Sequence, residues 1–142
     1  MDTKPIIVVQ EYNTSINKVW NALTNKEEMK YWYFNLPEFY AVNDFEFQFY
    51  GGKDENNQYL HLCKITDVSL QNKLSYSWRY DGYPGISFVT FEVIEKDSKT
   101  TLKLTHTGIE TFENENSDFA KSEFEAGWNY ILHTALKNYL ED

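Results

Sequence analysis

The stretch from Tyr12 to Tyr33 constrains the fold more than any other part of the chain: it reads as a strand end, a short amphipathic helix, a cap, and a second helix with an aromatic exit. Ile16, Val19, Trp20 and Leu23 fall at i, i+3, i+4 and i+7, so one helical face is apolar and has to be buried against another element. Thr24 or Asn25 caps the second helix, with Glu27 or Glu28 expected to reach back to the cap's own amide. Ahead of this pair, Ile6 to Tyr12 reads as a first strand, with Ile6, Val8 and Gln10 on one face and Ile7, Val9 and Glu11 on the other.

Beyond Leu36-Pro37, which forbids helix continuation, the period changes to two. Phe45, Phe47 and Phe49 alternate with Glu46 and Gln48. Gly51-Gly52 and Asn56-Asn57 bracket a polar turn, and strands over Tyr59 to Val68 and Lys73 to Tyr80 are joined at Gln71-Asn72. Leu74, Tyr76, Trp78 and Tyr80 share a face, while Ser75, Ser77 and Arg79 take the other. After the Asp81 to Gly85 turn, Val89, Phe91 and Val93, and then Leu102, Leu104 and His106, complete a sheet expected to be consecutive and antiparallel. From Ser117 or Asp118 the period becomes 3.6 to the end, predicting a helix of ~24 residues and ~36 Å. Its stripe is Phe124, Gly127, Trp128, Ile131, Ala135, Leu136 and Tyr139, with His133 off it. A glycine there costs about 1 kcal/mol against alanine; Gly127 is read as close approach of helix to sheet in preference to room for a ligand.

A chain of 142 residues is expected to form a single domain, 1–142. Aromatic residues make up 18%, with four Trp, 11 Tyr and 10 Phe, more than a core of this size needs, and such rings line a cavity as readily as they fill one. A formal charge of -9 with no basic cluster sets the chain against nucleic acid and anionic membranes. The lone Cys63 forms no intramolecular disulfide, no leader is read at the start, and no apolar run approaches the ~18 residues of a membrane span, so a cytoplasmic setting and no membrane insertion are expected.

The element order is that of an α+β helix-grip (START-like) fold. Four strings also resemble one family: Val19 to Thr24 with Trp32 after it, Leu74 to Trp78 as Leu-Ser-Tyr-Ser-Trp, Thr101 to Gly108 as Thr-Leu-Lys-Leu-Thr-His-Thr-Gly, and Gly127-Trp128. Nearly the entire chain is similar to the heat-shock-protein-90 ATPase-activator-like (AHSA-type) group of the START-related SRPBCC superfamily. The resemblance implies a curved antiparallel sheet wrapped around the long C-terminal helix, two short helices after strand 1, and a deep, mainly apolar cavity between sheet and helix.

Strand parity and the helical stripe place Trp32, Phe47, Phe49, Tyr76, Trp78, Tyr80, His106, Phe124, Trp128 and Ile131 around that cavity, each a ligand contact or a core residue. Tyr76 and Tyr80 are favoured for ligand contact, since a buried hydroxyl needs a partner. His106 has the inward parity of Leu104, and His61 can reach the same space; either is a candidate general base, polar anchor or satisfied structural histidine. No metal-ligand spacing, nucleophile elbow, phosphate loop or dinucleotide fingerprint is present, and no cofactor or metal is expected. Arg79 is expected on the outer face, and Glu110 to Asp118 as a solvated loop or a lid. Three functions stay open: a non-catalytic binder of an apolar or aromatic small molecule or lipid, a module contacting the heat-shock chaperone, and a cyclase- or hydrolase-type enzyme using His106 or His61. The chain is expected as a monomer or weak dimer.

Overall fold

A computed structural model describes residues 3–52, 54–112 and 114–141. Six strands form one antiparallel sheet: β1 (Ile6–Tyr12), β2 (Glu46–Gly52), β3 (Gln58–Ser69), β4 (Lys73–Tyr80), β5 (Ser87–Lys96) and β6 (Lys99–Thr107). Between β1 and β2 lie the two short helices α1 (Ile16–Thr24) and α2 (Lys26–Trp32). The spatial order is β1-β6-β5-β4-β3-β2. The expected consecutive meander therefore holds from β2 to β6, whereas β1 pairs with β6, Val8 facing Leu104. The helix pair carries the chain across to the far edge. Among the described residues no helix is long and apolar enough to cross a membrane.

One face of the sheet is the core. Ile6 and Val8, Phe47 and Phe49, Leu74 to Tyr80 on alternate positions, Val89, Phe91 and Val93, and Leu102 and Leu104 are all buried there, as period-two patterning requires. α1 covers part of this face with Val19, Trp20, Ala22 and Leu23, and the buried Trp20 is a structural anchor. Asn25 ends α1 and begins α2: its N–H donates to the Asn21 carbonyl at 2.9 Å and its side chain accepts from the Glu27 N–H at 2.9 Å. The expected reply from Glu27 or Glu28 is therefore not made, because the cap's amide is already used. Glu27 instead pairs with Lys30 and Glu28 accepts from the Tyr139 hydroxyl.

The C-terminal helix begins at Lys121, later than expected, because Ser117–Phe119 closes as a separate 3-10 turn. It runs as α3 (Lys121–Tyr130), a π turn (Ile131–Ala135) and α4 (Leu136–Glu141). In the π turn the Leu136 N–H donates to the Ile131 carbonyl, five residues back. The wider turn offsets the angular drift of an i, i+4 row, and the buried stripe becomes Phe124, Trp128, Leu132 and Leu136. Leu132 replaces Ile131 as the residue sealed against the sheet.

β1 grips the helix at that turn. Tyr12, with 0% exposure, donates its hydroxyl to the Leu132 carbonyl at 2.7 Å. Burial holds its phenol neutral by raising its pKa, with the Glu141 charge adding to the effect. Tyr12→Phe should cost about 1–3 kcal/mol, the desolvation penalty of an orphaned buried acceptor. Urea titration checks this, and Tyr139→Phe, at a half-buried rim contact, should shift the midpoint less.

Candidate functional site

The aromatic surplus is divided between a filled interior and an open cavity of about 380 Å³. The cavity lies between the Gly52 end of β2, the start of β3, the end of β4 and the first half of the helix. The sheet supplies Gly51, Gly52, Tyr59, His61, Trp78 and Tyr80; the helix supplies Phe124, Gly127, Trp128 and Ile131; Phe34 closes one side and Phe119 the other. Of the residues expected there, Trp78, Tyr80, Phe124, Trp128, Ile131 and His61 are on the wall.

Trp32, Phe47, Phe49, Tyr76 and His106 are buried behind it. The Trp32 indole N–H donates to the Ala22 carbonyl at 2.9 Å and braces α2 on α1. Tyr76 shares a 2.6 Å hydrogen bond with the Tyr33 hydroxyl, so its expected polar partner is another residue of the chain. Phe47 meets Tyr76 edge to face at 5.1 Å, and Phe49 stacks on His61 at 4.5 Å. Parity names the face of a strand but not the distance along it. These side chains share a face with the wall yet lie under neighbouring rings.

Gly127 departs from the expected close packing. A Cβ built there meets nothing within 4 Å, so the glycine borders open space at the cavity mouth. At Gly51 the reverse holds: a Cβ would lie 2.6 Å from Phe34 Cε1, so the missing side chain lets Phe34 close against the strand.

The Glu110 to Asp118 segment, of which Glu113 lies outside the described residues, is pinned down. Phe112 and Phe119 are buried, and Phe119 stacks on Tyr80 at 4.1 Å with the planes 12° apart. The Tyr59 hydroxyl donates to Asp118 at 2.5 Å, which raises its pKa, and Asn116 donates to Tyr59 at 3.1 Å. Tyr59 shares the parity of His61 and was legible as a wall residue on that ground; Phe34 and Phe119 sit in irregular backbone and carry no periodic signal.

The two inward histidines differ. His61, 4% exposed, donates Nδ1–H to the Tyr59 carbonyl at 2.9 Å, and desolvation lowers its pKa to about 4 against opposing backbone hydrogen bonds. His106, 0% exposed, accepts the Trp128 indole N–H at Nδ1 (3.0 Å). An indole nitrogen only donates, so the proton of the neutral imidazole is on Nε2, where it donates to Ser87 Oγ at 2.8 Å. Ser87 in turn donates to the Trp78 carbonyl at 2.9 Å. Desolvation holds the His106 pKa down at about 3. Arg79 is exposed on the outer face, as its parity requires. Among the described residues no group of His, Cys, Asp and Glu is placed to hold a metal ion.

Residues 13–141 match the family described as Activator of Hsp90 ATPase homolog 1-like protein. No curated protein matches the sequence. Solved structures share the fold. DynU16, described as a protein of the dynemicin biosynthetic locus, is 18% identical over 99% of this chain with a TM-score of 0.77, and this chain spans about half (48%) of its length. Protein MLL2253 from Mesorhizobium loti is 19% identical over 97% of both chains with a TM-score of 0.78. CalU16 from Micromonospora echinospora is 23% identical over 96% of this chain and 75% of its own, with a TM-score of 0.74.

Two outcomes follow from the site. Gly127→Ala should stabilise the protein by about 1 kcal/mol, the helix-propensity difference, since its methyl enters open space; a lowered melting temperature would show that the space is not open. Both inward histidines titrate near 6.5 when unfolded and near 4 and 3 when folded, so the unfolded chain takes up protons first. Stability should be full above pH 6.5 and fall as pH drops toward 4, by roughly 2 kcal/mol per histidine at pH 5. Urea midpoints at pH 7 and pH 5 check this, and the dependence should flatten in His61→Gln.

Proposed function

The chain belongs to the family of Activator of Hsp90 ATPase homolog 1-like proteins, and we propose that within it this protein is a non-catalytic binder that takes an apolar or aromatic small molecule into the cavity beneath its helix. The observation that carries this reading is the composition of the wall. Phe34, Trp78, Tyr80, Phe119, Phe124 and Trp128 surround a space of about 380 Å³, within the range of small-molecule sites. Burial of a ligand against them contributes roughly 25 cal/mol per Å².

The polar groups support binding over turnover. Both nitrogens of His106 are engaged inside the protein, and the Trp78 indole N–H is given to the Tyr80 hydroxyl at 2.9 Å. Accepting that bond polarises the Tyr80 O–H as a donor for a ligand oxygen. The charged side chains among the described lining residues are Asp118 and Glu123, and together with the formal charge of -9 they disfavour an anionic ligand.

On ligand-free protein, 2-naphthol should raise the melting temperature in a dose-dependent way and 2-naphthoate should do so less. Gly127→Leu, whose side chain would occupy the mouth, should keep its fold and lose the shift. A wide screen of neutral aromatics and lipids without any shift would overturn the reading. Turnover abolished by His61→Gln with binding retained would replace it with an enzymatic one.

A further inference from the structure

Two strings that carry the family resemblance, the one ending Thr105-His106-Thr107-Gly108 and the helical Gly127-Trp128, meet in the structure at one hydrogen bond. Trp128 and Trp78 are on the cavity wall; His106 and Ser87 are not. The two wall tryptophans, 5.7 Å apart by ring centroids, are nonetheless joined behind the wall through Trp128 Nε1–H to His106 Nδ1, His106 Nε2–H to Ser87 Oγ, and Ser87 Oγ–H to the Trp78 carbonyl.

We propose that His106 is a positioning residue for the cavity: it fixes the indole of Trp128, and through Ser87 the β4 backbone at Trp78, without touching the ligand. The geometry leaves few alternatives. The site needs one rigid neutral side chain that accepts at one point and donates at another, and imidazole does both in a single tautomer. His106 packs at 5.3 Å on Phe124 and 5.5 Å on Trp78, which fixes the ring plane and hence the direction of both bonds. Trp128 thereby presents its ring to the cavity while its N–H is turned into the protein. Without the acceptor the indole is held by non-directional packing against Tyr33, Phe91 and Trp78 and is free to swing toward the mouth beside Gly127.

The consequence for affinity rests on the proposed binding function, whereas the positional claim does not, and the test separates them. In the wild-type protein, long-range 15N–1H spectra should show His106 protonated at Nε2, and the Trp128 indole N–H should be slow to exchange. The Nδ1-protonated tautomer would overturn the proposal without any variant being made. An asparagine carbonyl reaches the place of Nδ1, and a glutamine amide reaches that of Nε2. His106→Asn should therefore leave Trp128 exchange within about twofold of wild type, while His106→Gln should speed it at least about tenfold, the loss of one buried hydrogen bond. Equal rates in the two variants would overturn the assignment. With 2-naphthol as probe, Kd should be weakened about five- to tenfold by His106→Gln and rescued by His106→Asn. If wild-type protein fails to bind the probe while the exchange pattern holds, the binding function fails and the positioning role stands.

Discussion

The structure depends on a directional bond in an otherwise non-directional core. Helix α3 lies on aromatic rings, and apolar contact alone sets a distance without setting a rotation, since burial and dispersion reward area and not angle. The Trp128 N–H aimed at His106 supplies the angle. The chain of donors then reaches β5 at Ser87 and β4 at Trp78, so the helix and three adjacent strands, β6, β5 and β4, share one register. Burying an imidazole with unmet hydrogen bonds would be destabilising by several kcal/mol. Among the described residues no buried side-chain nitrogen or oxygen lacks a partner, so that cost falls on every alternative packing and not on the native one.

A second bond of the same kind holds the helix about one turn further along. Tyr12 reaches the helix at Leu132 within the π turn, about 6 Å along the axis from the Trp128 contact at roughly 1.5 Å per residue. Under these anchors the interior is filled: Phe47 meets Tyr76 edge to face, Phe91 is tilted against Tyr76, and the Tyr33 and Tyr76 hydroxyls share a hydrogen bond. Beside Gly127 it is not. The mouth of the cavity therefore arises by subtraction, from a helix residue with no side chain, while the space a side chain at Gly51 would take is filled by Phe34, within a frame whose rotation is already fixed.

Much of this was legible from residue order. Period-two runs placed all six strands and, for β2, β4, β5 and β6, the core face as well, and Ile16, Val19, Trp20 and Leu23 placed α1, because burial on one face leaves a periodic trace. The pairing of β1 with β6 left no such trace, since register between distant strands is a tertiary property. The cap at Asn25 was legible and its partner was not: one amide cannot serve both the helix it ends and the helix it begins. The stripe failed at Leu132 because a π turn changes the period within the helix. For the cavity, strand parity found Trp78 and Tyr80 and the helical stripe found Trp128, but parity could not separate the first two from Tyr76 and Phe47, which differ only in what lies above them. Gly127 was the hardest, because tight packing and open space both select for the absence of a side chain.

The expenditure of polar groups on internal structure has a consequence for recognition on the binding reading. Trp128 gives its N–H to His106 and Trp78 gives its own to Tyr80, so both tryptophans meet a ligand as ring surface. Tyr59 is committed to Asp118 in the same way. A wall of that kind rewards area and shape, and discrimination by hydrophobic fit is modest, about 1–3 kcal/mol per methylene. Strong rejection of near neighbours needs polar groups that a wrong ligand would leave unpaired, and here the two indole N–H groups and the Tyr59 hydroxyl are already paired within the protein. The interactions that make the frame rigid therefore make the cavity selective for size and planarity before functional groups, and the Tyr80 hydroxyl, which accepts from Trp78 and keeps its own proton, is a wall donor that can refine that choice.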